Sequence, residues 1–264
     1  MKNSSISLLS LLLWSLLFAA CGRGNESKGD VRTQSVPTDT VNDLRVNSKT
    51  VEDSTMLITR PRTVLVTGLP QFRLIPIMKL NWDEDRKGTF FGGIEYRSTW
   101  DEDKIGWNVW NSHIVPGYDA ACGYNIVNVS HFDTQSATKR NLFETPVLVK
   151  TIYFPTLDRD TLNGQPIRRD CYMVSVFDED TNKDGFVNQN DLRRFYHYTL
   201  PGLTRTPLVP ADQGVVSSEY DSGADFMYVF TRKDLNKNGI IDGADEWHVH
   251  WIDMKNPAKH GEMY

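Results

Sequence analysis

The sequence predicts an all-β protein, and three observations carry that prediction. Short segments rich in β-branched and aromatic residues recur along the chain, bounded by Gly, Pro, Asn or Asp: "FRLIPIMKL", "FGGIEYRS", "YNIVNVSHF", "PVLVKTIYF", "YMVSVF", "RRFYHYTL", "FMYVFTR" and "EWHVHWIDM". No window of helical length carries an apolar stripe at the spacing of about 3.6 residues that a helix requires. Three of the strand-like segments also echo one another. A histidine followed by an aromatic residue stands at His131-Phe132, His197-Tyr198 and His250-Trp251, and a polar turn with basic residues follows each.

The first element of the chain is a targeting segment. "MKNSSISLLSLLLWSLLFAAC" places Lys2 before an apolar run from Ile6 to Ala20, with small residues ahead of Cys21. A run this short reads as a secretory signal rather than a membrane span. The ending "LFAAC" resembles the lipobox of bacterial lipoproteins, with Phe18 where Leu is usual. The resemblance implies cleavage before Cys21 and acylation of that residue, hence a lipid-anchored protein of the bacterial envelope, in the periplasm or at the cell surface. Ordinary signal cleavage, leaving Cys21 a free thiol, is the alternative. Residues 1–20 are therefore read as signal peptide and 21–59 as a tether. From Gly22 to Gln71 there is no Phe, Trp or Tyr, and polar residues dominate as far as Thr55, too few apolar groups to offset chain entropy.

Residues 60–264 are expected to fold. Composition sets the partners they can take: 24% of the 264 residues are charged, the formal charge is −5, and no basic cluster occurs, which argues against a nucleic-acid partner. Export makes a disulfide between Cys122 and Cys171 permissible without requiring one. The histidine repeats lie 66 and 53 residues apart, about the length of a four-strand unit with inserted loops. From Phe72 to Tyr264 this rhythm resembles TolB-type and WD40-like β-propeller blades, although the WD dipeptide is absent. About three blades are too few for a closed ring. An open stack of blades, a ring closed by a second subunit in a homo-oligomer, and a β-sandwich all satisfy the pattern.

Two loops carry recognisable chemistry. "DTNKDGFVNQND" fits the EF-hand calcium loop. Asp180, Asn182 and Asp184 stand at positions one, three and five, where side-chain oxygens converge. Gly185 follows at the sharp turn, Phe186 offers a carbonyl, Asn188 stands at nine, and Asp191 closes the loop at twelve. "DLNKNGIIDGAD" repeats the pattern with Asp234, Asn236, Asn238, Gly239, Ile240, Asp242 and Asp245. An acidic β-turn that binds nothing favours the same residue types, but two full matches in one chain favour Ca²⁺. Aspartate rather than glutamate at position twelve is similar to dockerin loops. Three carboxylates per loop and the short closing acid imply weak sites, on the order of 10⁻⁴ to 10⁻³ M.

Asp191 precedes His197 and Asp245 precedes His250 by nearly equal intervals, so both loops are expected in turns between neighbouring strands. Without flanking helices the calcium is structural rather than sensory. Lying in different repeats, the two sites are expected to contribute separately.

The remaining candidates are weaker. "WDEDRKG" (82–88) and "WDEDKIG" (100–106) lack a third oxygen ligand and read as solvated turns. His248 and His250 alternate on one strand without a third ligand, so packing is their expected role. Trp107 and Trp110 would suit sugar stacking or a core equally. No nucleophile elbow, phosphate loop or zinc-protease motif occurs. The chain is similar to uncharacterised lipoproteins with EF-hand loops and propeller-like repeats, a resemblance that implies no defined reaction. A scaffold or binding module for an unidentified protein or glycan is the function expected. The rival is an envelope hydrolase acting on glycans or peptides, which a carboxylate pair in a cleft would favour.

Overall fold

The computed structural model describes residues 44–45, 57, 59–83, 88–91, 94–97 and 115–264, with only the backbone described at 44–45, 81–97 and 124. A compact unit, Asp39–Tyr264, contains all of them. The signal peptide, Cys21, Trp107, Trp110, the turn 100–106 and most of the tether lie outside the described residues.

No helix occurs among the described residues. The strands are β1 (Leu44–Arg45), β2 (Thr59–Pro61), β3 (Leu65–Val66), β4 (Phe72–Asp83), β5 (Gly88–Phe91), β6 (Ile94–Arg97), β7 (Tyr118–Asp133), β8 (Thr138–Asn141), β9 (Leu148–Pro155) and β10 (Asp160–Leu162). They continue with β11 (Gln165–Ile167), β12 (Tyr172–Phe177), β13 (Phe186–Val187), β14 (Arg194–Thr199), β15 (Thr204–Pro207), β16 (Gln213–Asp221), β17 (Phe226–Lys233), β18 (Glu246–Asp253) and β19 (His260–Glu262). All pairings are antiparallel. The main sheet runs β15-β14-β12-β9-β7-β4-β2, with β3 and β5 also paired to β4 and β6 and β8 to β7; β16-β17-β18-β19 form a separate meander, and β1-β13 and β10-β11 are two-stranded pairs.

Side-chain alternation explains how the sheets pack. Along β9, β12 and β14, successive residues point to opposite faces. Ile152, Val174 and Tyr198 enter one apolar cluster, whereas Tyr153, Met173 and Phe195 enter another. The second cluster also takes Val215, Met227, Val229 and Ile252 from the meander. The main sheet is thus buried on both faces, and β12 is buried at every position. Strands covered on both sides read as continuous apolar runs, which is why "YMVSVF" shows no clean alternation.

The all-β expectation holds, and two packed open sheets fit the sandwich alternative. The propeller reading fares differently: none of the sheets closes, and propeller blades are not shown among the described strands. The histidine-aromatic repeat is a repeat of buried strand positions. His131 lies in β7 against the Phe72 ring at 4.7 Å, His197 is buried in β14, and His250 in β18 meets Gln213 Oε1 through Nε2 at 2.6 Å. A short polar-flanked strand with one buried histidine can belong to either sheet, so the pattern does not encode blade closure.

A buried ion pair joins material from both sheets. Arg169, just before β12, donates Nη2 to Asp225 Oδ1 at 2.7 Å and Nη1 to Oδ2 at 3.0 Å. Asp225 stands in the β16–β17 turn with φ of 60°, a left-handed conformation that Asp tolerates. The Arg169 guanidinium also serves the carbonyls of Pro116 and Met254. No disulfide joins Cys122 and Cys171. Cys171 contacts Tyr118 Oη at 2.9 Å instead.

Candidate calcium loops

Each acidic loop joins two neighbouring antiparallel strands. The first connects β12 to β14 and contains β13; the second connects β17 to β18. The hairpin position expected from the repeat spacing is therefore observed. Within the stretch read as tether, Leu44–Arg45 pairs with Phe186–Val187 of the first loop.

The local chemistry of the two loops is nearly superimposable. In the first, Asp180 accepts the N–H of Asp184 on Oδ1 at 3.1 Å and that of Gly185 on Oδ2 at 3.0 Å. In the second, Asp234 accepts from Asn238 at 3.1 Å and Gly239 at 2.8 Å in the same way. Asn182 and Asn236 each accept the N–H two residues on at 3.0 Å. Asp184 and Asn238 accept from Phe186 and Ile240. The closing acids reach back: Asp191 takes the N–H of Asn188 and Thr181, and Asp245 those of Asp242 and Leu235.

The backbone follows. Position four is left-handed in both loops, Lys183 at φ 60° and Lys237 at φ 58°, and position six is a positive-φ glycine, Gly185 at 93° and Gly239 at 76°. Side-chain oxygens that accept successive backbone N–H groups are drawn toward the inside of one turn, which is how short polar residues build such loops.

Charge and burial differ within the set. The closing acids Asp191 and Asp245 are buried, as is Asn188, whereas Asp184, Asn236 and Asn238 are exposed. Burial pushes the Asp191 carboxyl above its usual range, partly offset by the N–H groups of Asn188, Asn182 and Thr181. The Ala244 N–H, with the amides of Asn236 and Asn238, holds Asp242 below it.

The donor set is entirely oxygen, the kind a hard cation such as Ca²⁺ takes. Among the described residues no three His, Cys, Asp or Glu side chains lie close enough together to hold a metal unaided. Any cation here would need the Asn182, Asn188, Asn236 and Asn238 side chains and the Phe186 and Ile240 carbonyls as well. Those groups are present at the motif positions, so the donor chemistry fits calcium.

The structure brings the loops together, which nothing in the sequence signals. Thr181 lies against Gly239, and a Cβ placed on Gly239 would sit 1.9 Å from the Thr181 carbonyl oxygen. Thr181 Oγ1 donates to the Gly239 carbonyl at 2.5 Å. Gly214 of β16 is crowded by Ile241 of the second loop and by Leu192, which follows the first. The two loops, expected in different repeats, thus lie side by side where the two sheets stack.

Position two of an EF-hand loop is not a ligand position, so no motif marks Thr181. His248 and His250 also resolve. Glu262 hydrogen-bonds His248 Nδ1 at short range, while His250 is buried against Gln213, so the pair does not converge. "WDEDRKG" forms the β4–β5 hairpin, with Asp83 opposite Gly88 and 84–87 outside the described residues.

No family model matches the chain, and no curated protein matches it.

Proposed function

We propose that this chain is a lipid-anchored envelope protein whose two loops, 180–191 and 234–245, bind structural calcium, and that it serves as a scaffold or ligand-binding module. The observation that carries the reading is the shared internal geometry of the two loops, down to the left-handed residue at position four and the glycine at position six. Two acidic turns with no common purpose would have little reason to agree at that level.

A second observation favours binding over hydrolysis. The face of the meander turned away from the core is aromatic. Trp251 stacks on Phe226 with centroids 5.5 Å apart and planes 17° from parallel, and Arg232 lies over the Trp247 ring at 5.0 Å. Close by, Tyr228, Phe230, Val249, Met263 and Tyr264 line a surface cavity of about 270 Å³, with no Asp or Glu among them. Aromatic and apolar surface of this kind suits adhesion to a protein or glycan, whereas glycoside cleavage needs a carboxylate pair, which this lining lacks.

Chelation tests the calcium reading. A ligand bound only by the folded state stabilises it by RT ln(1 + [L]/Kd), about 1.4 kcal/mol per site for a Kd near 0.1 mM and calcium near 1 mM. Two sites give roughly 3 kcal/mol, or about 6–12 °C of melting temperature for a domain near 200 residues. The full chain in detergent is expected to melt that much lower in excess chelator, with magnesium restoring little because it demands tighter octahedral geometry. Coincident melting curves would overturn the assignment.

A further inference from the structure

We propose that Thr231 and Gln213 join in an internal ester, which the protein forms by itself with His250 carrying the proton. The cross-link ties β16, the edge strand of the meander, to its neighbour β17, and it stands independently of the calcium reading.

Strand alternation assembles the three groups. Gln213 opens β16, Thr231 lies near the end of β17, and His250 is in β18, on three neighbouring strands of the meander. Each stands two residues from a position whose side chain enters the second apolar cluster: Val215, Val229 and Ile252 in turn. A period of two therefore turns all three toward the main sheet. Thr231 is fully buried, and Gln213 and His250 are 4% and 3% exposed.

The reacting atoms meet at the Gln213 amide. Its Oε1 lies 2.5 Å from Thr231 Oγ1 and 2.6 Å from His250 Nε2. With a C=O bond of about 1.23 Å, the hydroxyl oxygen stands roughly 3–3.5 Å from the amide carbon, the separation of a near-attack pair. The Gln213 backbone is held on both sides: its N–H donates to Pro210 O at 3.2 Å, and its carbonyl accepts from Arg194 Nη1 at 3.2 Å. Gly214, next in the chain, is covered by Ile241 and Leu192. The amide is thus fixed against the hydroxyl, away from water.

The step balances without an oxidant or a co-reactant. Half a turn about the Gln213 Cγ–Cδ bond exchanges the amide oxygen and nitrogen, so that the leaving nitrogen faces the imidazole. Burial holds His250 below the ordinary histidine value, which keeps the ring neutral and able to accept a proton at pH 7. Thr231 Oγ1 attacks Gln213 Cδ as its proton passes to His250 Nε2. The imidazolium returns that proton to the amide nitrogen, the Cδ–Nε2 bond breaks, and ammonia departs. Amides resist alcohols in solution, but fixed orientation is worth an effective concentration of about 10⁵–10⁸ M. Ammonia is diluted as ammonium, which draws the exchange forward, and the dry site protects the ester from hydrolysis.

The test is peptide mass spectrometry of the full chain, digested at mildly acidic pH with trypsin and a glutamyl endopeptidase. Cuts after Arg205, Glu219 and Arg232 separate 206–219, which carries Gln213, from 220–232, which carries Thr231, unless a bond joins them. Folded wild type is expected to give one joined species with the mass of the two peptides less one ammonia. Hydroxylamine is expected to part it and leave a hydroxamate at Gln213. Thr231→Ser keeps a hydroxyl and is expected to cross-link, whereas Thr231→Val and His250→Gln are expected to give separate peptides. Separate, unaltered peptides from folded wild type overturn the proposal, whether or not the variants fold. A joined species that withstands hydroxylamine, or that persists in Thr231→Val, overturns the ester. Full cross-linking in His250→Gln overturns the role given to the imidazole.

Discussion

Replacing Asp225 by asparagine removes one negative charge while keeping the volume and the tolerance for a left-handed backbone, so its cost isolates the buried ion pair. In the native protein the side chains of Arg169 and Asp225 are each 2% exposed. Asp225 accepts two hydrogen bonds from the guanidinium and one from Tyr220 Oη at 2.9 Å. With an amide in place of that carboxylate, at least one Arg169 N–H faces an amide nitrogen, and the guanidinium charge stays buried without a counter-charge. Breaking such a pair from one side costs about 3–5 kcal/mol. At about 2–4 °C per kcal/mol for a domain of this size, the melting temperature is expected to fall by roughly 6–20 °C. The assay is a thermal melt of wild type, Asp225→Asn, and the double variant Asp225→Asn with Arg169→Met. The double variant is expected to recover most of the loss, because an uncharged pair of similar volume leaves no uncompensated charge. A single variant melting within about 2 °C of wild type would refute the reasoning, since the guanidinium would then have found solvent.

Burial holds His131, His197 and His250 below the ordinary histidine value. The unfolded chain takes up protons as the pH drops through about 6.5 while the folded chain does not, so stability is complete above that pH and lost below it, by up to about 1.4 kcal/mol per histidine per pH unit. Melts at about pH 7 and pH 6 are expected to differ accordingly, and a flat profile would show that the imidazoles reach water. Burial also pushes the Cys171 thiol up to about 11. It is expected to resist alkylation at neutral pH in the native protein and to react once unfolded, as mass spectrometry would show. Cys21→Ser is expected to abolish acylation and move the protein out of the membrane fraction; unchanged partitioning and migration would sink the anchor assignment.

The sequence by itself determined the secondary-structure class and the local form of the loops, because both depend on residues near one another in the chain. The β-branched and aromatic runs from Phe72 onward became strands. The oxygen spacing from Asp180 to Asp191 and from Asp234 to Asp245 became two closely similar turns, each bonded through its own N–H groups. The placement of those turns between adjacent strands was also legible, from the short interval separating each closing aspartate from a histidine strand. Only the tertiary structure decided how the strands were shared out. His131 and His197 fall in the main sheet and His250 in the meander, since a strand's period records which face is apolar and not which sheet receives it. Nor did any local signal mark Arg169 and Asp225 as partners, or Thr181 as the neighbour of Gly239. Those contacts join residues 56 and 58 positions apart, and they exist because two sheets stack on a common apolar layer and carry their connecting loops to the same place.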